Sequence, residues 1–228
     1  LDHIPAIDED QKNVDFLPLL KCALEAGYQS VMIDGSRLPL AQNIAVTRQA
    51  AELAAKYGSA VEAELGAVAG HEGAGIGLSY EELFTSKKGF TKTEEAAQFA
   101  RESGCDWLSV AAGSFHGAIA AATKHLKKPE ARLDIAHIAE LSAATGHMPL
   151  VLHGGSGIKQ EYILRAMENG IAKINVATEI RQPYEFALEE KPGDITYAQQ
   201  KVYDRTRWVL HDFLHTTNNH DTLKGDSK

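Results

Sequence analysis

Three of the ten histidines sit among residues that could put them to chemical use: His3 in Leu1-Asp2-His3, His116 in Gly113-Ser-Phe-His-Gly117, and His153 in Val151-Leu-His-Gly-Gly-Ser-Gly157. Each falls at or just after what reads as the end of a strand. Neutral imidazoles gathered on one face are what a catalytic zinc ion takes, with three protein ligands and a fourth position left open for substrate. Any one alone reads more simply as a hydrogen-bonded core or surface histidine. As a set, with glycine beside two of them, they read as a metal site. The other seven (His71, His125, His137, His147, His211, His215 and His220) fall on expected helices, loops or the tail and read as solvated. His211 and His215 stand four apart on a helix but lack the glutamate of a metalloprotease motif.

Acids and small polar residues accompany the histidines. Glu62 and Glu64 alternate with apolar residues in Val61-Glu-Ala-Glu-Leu-Gly66, so they share one strand face. Carboxylates turned into a barrel lumen need a metal or a polar network. Glu64, nearest the strand end, reads as functional; for Glu62 a structural salt bridge is an equal alternative. Asp34 ends another strand. The glycines of His153-Gly154-Gly155-Ser156-Gly157 allow backbone amides to approach a phosphate at a helix N-terminus, with Ser156 adding a hydroxyl. Asn175 and Thr178, at the next strand end, belong to the same neighbourhood. Residues Gly66–Gly77 hold five glycines around His71-Glu72, the composition of either a flap carrying an acid or a plain flexible loop.

The elements that would position these groups alternate in type. Short apolar runs read as buried parallel strands at Ser30–Asp34, Ala60–Leu65, Trp107–Ala112, Pro149–His153 and Lys173–Val176. Helical patterns lie between them at Val14–Ala26, Leu40–Tyr57, Thr93–Ser103, Asp134–Thr145 and Lys159–Asn169. Several are followed by glycine at the C-terminal cap. Repeated βα units give a parallel α/β fold. Polar residues at the ends of many different strands favour a closed TIM (β/α)8 barrel over a doubly wound sheet, which gathers its site at one crevice. Only five strands are visible, plus one ending at Leu1-Asp2-His3, so the first two βα units are expected to be missing from this chain. Residues 1–215 then form one barrel domain, N-terminally incomplete. Tyr197–His215 reads as one or two helices, and 216–228 as a polar tail.

At 228 residues the chain can bury one substantial core. Its 31 acidic and 23 basic residues, net −8, argue against nucleic acid or an anionic membrane as the main partner. Any phosphate site must therefore be local. No apolar stretch approaches the ~18 residues of a membrane span. Two cysteines, Cys22 and Cys105, are too few for a disulfide framework and read as buried thiols of a reduced, cytoplasmic protein.

At these residues the sequence resembles the class II, zinc-dependent fructose-bisphosphate and tagatose-bisphosphate aldolases. LDH, SVMIDGSRLPLAQNI, VEAELG, the GHE flap, GSFHG, PLVLHGGSGI and KINVATE appear in the family's order, up to about Arg181. The resemblance implies a carbon–carbon lyase of carbohydrate metabolism (glycolysis), cleaving a ketose 1,6-bisphosphate to dihydroxyacetone phosphate and glyceraldehyde 3-phosphate. It implies His3, His116 and His153 as zinc ligands, with Asp34 and Glu64 near the metal and room for a second divalent or monovalent cation. Asp2 would exchange a proton with the C4 hydroxyl, and Glu72 would move the C3 proton. Gly117, Gly154, Ser156, Asn175 and Thr178 would hold the dihydroxyacetone-phosphate half. A homo-oligomer, dimer or tetramer, is implied as well.

The chain departs from the family pattern at Ile4-Pro5, in AIAAATK after Gly117, at Gly73 beside Glu72 and at Ala177. The last, with LAQNI, looks more like the tagatose branch, and the choice of sugar stays open. The alternative reading is a non-catalytic or altered barrel that binds a phosphorylated sugar without cleaving it.

Overall fold

The computed structural model describes residues 1–66, 80–114 and 131–218. Six parallel strands make one sheet in strictly sequential order: β1 (Ile4–Pro5), β2 (Ser30–Asp34), β3 (Ala60–Leu65), β4 (Trp107–Val110), β5 (Leu150–Leu152) and β6 (Ile171–Ile174). Sequential order is the barrel's signature, because a doubly wound sheet reverses direction at a switch point. Among the described residues no pairing joins β6 to β1, so the sheet is an open arc of a TIM-type barrel. The expected strands agree with the observed ones to within a residue or two, except at the start. Asp2 and His3 precede their strand instead of ending it, and His3 sits in the left-handed region at φ 34°.

Five expected helices are present with slightly shorter bounds: α1 (Phe16–Glu25), α2 (Leu40–Ala55), α4 (Thr93–Glu102), α5 (Ile135–Ala144) and α6 (Gln160–Glu168). Each turns an apolar stripe to the sheet, as with Leu20, Ala23 and Leu24 of α1. Asp134 caps α5 by accepting a hydrogen bond from the His137 backbone N–H at 3.0 Å. Two helices were not expected: α3 (Tyr80–Ser86) and α7 (Thr178–Glu190), the latter with Pro183 inside it. Helix α8 (Ile195–Trp208) continues into a π-helical turn, Val209–Phe213.

The strands have two unlike faces. Val31, Ile33, Val61, Ala63, Leu108, Val110, Leu150, Leu152 and Ile171 face the helices and join one continuous apolar core with Phe99, Ile138, Leu141 and Ile163. The alternate residues include Asp34, Glu62, Glu64, Ser109 and, just past β5, His153; they turn to the concave side. A register irregularity between β5 and β6 pairs Leu150 with Ile171 but Val151 with Lys173. The extra residue on β6 swings Lys173 onto the face that Val151 shares with His153.

Two close approaches tie the strand ends to what surrounds them. Thr91 is buried; its hydroxyl donates to the Leu65 carbonyl and accepts from the Ala111 N–H at 2.8 Å, joining the ends of β3 and β4. The Asn43 side chain donates to the Glu64 carbonyl at 2.9 Å, and a Cβ at Gly35 would meet Asn43 Oδ1 at 2.2 Å. Any larger residue at position 35 would have to displace the Asn43 side chain that holds the Glu64 carbonyl.

Two sequence readings are corrected here. His137 is buried, not solvated: its Nε2 lies 2.8 Å from the Thr91 carbonyl, and its ring stands against Phe90. Cys22 is exposed on the outer side of α1, whereas Cys105 is buried as expected, and burial pushes its thiol up to about 11.

Candidate metal centre

His3 and His153 lie far apart in the sequence, yet their rings meet edge to face with centroids 4.6 Å apart. His3 is set at the mouth of β1, and His153 follows the last residue of β5. Asp34, ending β2, places Oδ2 3.2 Å from His3 Nδ1, and its other oxygen accepts from the Ser36 hydroxyl and N–H at 2.7 and 3.0 Å. Glu64, 5% exposed, puts Oε2 3.2 Å from His153 Nδ1 and 3.9 Å from His3 Nδ1. One ligand atom each from Asp2, His3 and His153 lies within 4.8 Å of the others, and the same holds for His3, Asp34 and Glu64. His116, Gly117 and Glu72 lie outside the described residues.

Lone-pair atoms this close need a proton or a cation between them. Burial alone would pull both imidazoles down. For His3 the Asp34 hydrogen bond and the Glu64 charge outweigh it and raise the pKa. For His153 the Glu62 and Glu64 contacts do the same and bring it to about 9. Burial would lift Asp34, but its bonds to His3 and Ser36 hold it at about 2. Glu64 moves the other way, pushed up because burial dominates. With protons alone, the cluster is made of imidazoliums wedged among carboxylates. A divalent ion satisfies the same atoms with one charge centre, and imidazole nitrogens mixed with carboxylate oxygens are a donor set that suits zinc. The residues therefore fit the metal that the sequence implies.

One step further from the cluster, His153 Nε2 is 2.8 Å from Glu62 Oε1, and Lys173 Nζ donates to Glu62 Oε2 at 2.7 Å. Burial would raise Glu62, but these two partners lower it. The sequence reading left Glu62 balanced between a structural and a functional role and did not single out Lys173. The even spacing of Glu62 from Glu64 was the available signal for the first. The second depends on the register shift in β6, which leaves no trace in residue types.

Asn175 follows β6 and donates from Nδ2 to both Asp2 carboxylate oxygens, at 3.2 and 3.3 Å. Gly154, at φ 71°, leads from His153 into a loop where the Gly155 N–H donates to the Asn175 carbonyl at 3.0 Å. Ser156 is buried, and its hydroxyl accepts from the Glu179 N–H in the first turn of α7 at 3.2 Å. A cavity of about 460 Å³ opens there, bordered by Gly155, Ser156, Gly157 and Thr178. The helix whose first turn meets the Ser156 hydroxyl is thus α7, not the α6 that directly follows the glycine loop. Backbone amides of a helix start beside a glycine turn are a favourable seat for an anion.

The family profile described as fructose-bisphosphate aldolase class-II matches residues 1–220. The chain belongs to the class II fructose-bisphosphate aldolases. It is 33% identical over 195 residues to a fructose-bisphosphate aldolase of Streptococcus pneumoniae, covering 83% of this chain and 60% of that protein. It is 34% identical over 197 residues to that of Streptococcus pyogenes, with the same coverage. Among solved structures, the YdjI aldolase of Escherichia coli K12 is similar with a TM-score of 0.69 and 29% identity over 86% of this chain and 65% of that one. A putative fructose-1,6-bisphosphate aldolase of Coccidioides immitis shares the fold with a TM-score of 0.70 at 24% identity, over 89% of this chain and 69% of that one. The chain therefore spans about 60% of the length of the curated fructose-bisphosphate aldolases it matches.

Proposed function

We propose that this chain carries the metal-binding part of a zinc-dependent ketose-bisphosphate aldolase. The reaction is reversible cleavage of fructose 1,6-bisphosphate or its tagatose epimer to dihydroxyacetone phosphate and glyceraldehyde 3-phosphate. The observation that carries the reading is the convergence of Asp2, His3 and His153 within 4.8 Å, beside a glycine-lined cavity at a helix start. His3 and His153 would hold the ion together with His116, and Asp34 and Glu64 are close enough to accept a second cation. When bound, zinc supplies Lewis acidity where negative charge builds up as the carbon–carbon bond breaks.

The chain's own residues do the rest. Asp2, held by Asn175, accepts the C4 hydroxyl proton as that bond opens. The loop Gly154–Gly157 and Thr178 anchor the phosphate of the dihydroxyacetone half, which fixes the reacting carbons relative to Asp2. Glu72 moves the proton at C3. A barrel that only binds a sugar phosphate needs neither Asp2 nor Glu72, and their presence together supports cleavage over binding alone. The working form is a cytoplasmic homo-oligomer, dimer or tetramer, which light scattering on the purified protein would check.

The test is release of triose phosphate from each bisphosphate, with and without a chelator. Chelator-sensitive release supports the reading. Turnover that survives metal removal overturns the metal mechanism. Sugar-phosphate binding without any release from a chain extended to the relatives' full length overturns cleavage.

A further inference from the structure

The Glu62–Lys173 pair is not part of the cluster just described. Glu62 belongs to neither group of side chains that converges on the ion position, yet it is 3% exposed and spends both carboxylate oxygens. One accepts from His153 and the other from Lys173. The three residues come from β3, the end of β5 and β6, so the contacts cross the concave side of the sheet past β4, over sequence separations of 91 and 111 residues. Lys173 reaches Glu62 because the β5–β6 register shifts by one residue ahead of it. Bulges that re-aim one side chain are built features of strand pairing.

An imidazole can offer a metal only one ring nitrogen, and the hydrogen bond at the other nitrogen decides which. We propose that Glu62 and Lys173 are a positioning pair: Glu62 holds the proton on His153 Nε2, so that Nδ1 is the nitrogen presented to the metal, and Lys173 holds Glu62. This rests on the metal reading above. Neither residue is a ligand or touches substrate.

An amide at position 62 breaks this arrangement in a diagnostic way. Glu62→Gln keeps the shape but leaves one acceptor oxygen where two are needed, so either His153 or Lys173 faces an N–H group. Zinc affinity, measured by competition with a chelator of known strength on the 228-residue chain, is expected to fall roughly 10- to 100-fold. Lys173→Gln in the Glu62→Gln background restores an acceptor for the new N–H group, frees the amide oxygen for His153, and recovers most of that loss. The visible absorption of the cobalt-loaded proteins should follow the same order, and thermal melts of the metal-free variants check that each is folded. A folded Glu62→Gln variant that binds zinc like the wild type overturns the inference, as does a loss that Lys173→Gln fails to relieve. A wild-type chain that binds no zinc overturns the metal reading, and this inference with it.

Discussion

The two faces of each strand in this molecule solve opposite problems with the same backbone. Toward the helices, Val61, Ala63, Leu108, Val110, Leu150 and Leu152 lie in a dry, close-packed layer whose stability comes from area removed from water. One residue away on the same strands, Glu62, Glu64 and Ser109 are just as buried but polar, and the two carboxylates stand in close contact with His153. The first face tolerates apolar side chains of similar volume. The second depends on each atom finding its counterpart, because an unmatched buried charge is costly. The contrast shows where this chain keeps its fold and where it keeps its chemistry, on alternate residues of the same strand.

Substitutions on the two faces should therefore separate function from stability. The largest effect is expected from His153→Ala, which removes a proposed zinc ligand: metal content measured by elemental analysis and triose-phosphate release should both vanish, while the secondary structure seen by circular dichroism persists. Glu72→Ala comes next. It should keep the metal and lower turnover by ~10²–10⁴-fold, the usual contribution of a general acid–base group; full turnover would remove Glu72 from the reaction. On the helix side, Phe99→Ala empties the core of a fully buried ring and should cost about 3–5 kcal/mol in denaturant unfolding. Its metal stoichiometry should not change. A loss of metal in this folded variant would mean that the two faces are not independent.

The smallest effect tests a helix cap far from the polar face. Burial works against ionised Asp134, but its bonds to Lys87 and to the His137 N–H win, and its pKa is lowered. A carboxylate lowered on folding contributes stability that is complete above its unfolded pKa near 4 and is lost as pH falls through its folded value. Asp134→Ala should cost about 1 kcal/mol at neutral pH and flatten the acid limb of a stability–pH profile. An unchanged acid limb would remove Asp134 from that account.

Much of this contrast was legible in the residues themselves. Val61-Glu-Ala-Glu-Leu announces alternating faces by its period of two, and the glycine following each helical stretch marked where strands would begin. The clustering of Asp34, Glu64 and His153 followed from their place at strand ends. Longer-range facts were hidden. That Glu62 would bond His153 and Lys173 depends on which strands lie across from each other and on a one-residue register shift, neither of which is encoded in local pattern. Helix α7 carries Pro183 inside it, a residue type that local pattern disfavours in a helix interior. His137 was misjudged as a surface residue because its polarity outweighed its place beside Ile138 and one turn before Leu141, both in the core.

Asp2 takes its hydrogen bonds from a residue 173 positions away, and this separation has a kinetic side. None of the intermediate βα units can assemble the candidate metal cluster alone, since His3 and His153 meet only after β5 has taken its place beside β4. Long-range closures of this kind are the slow events of folding. Appearance of a tightly held ion during refolding should thus mark arrival at the finished architecture, not an early collapse, and would time the last step without any added probe.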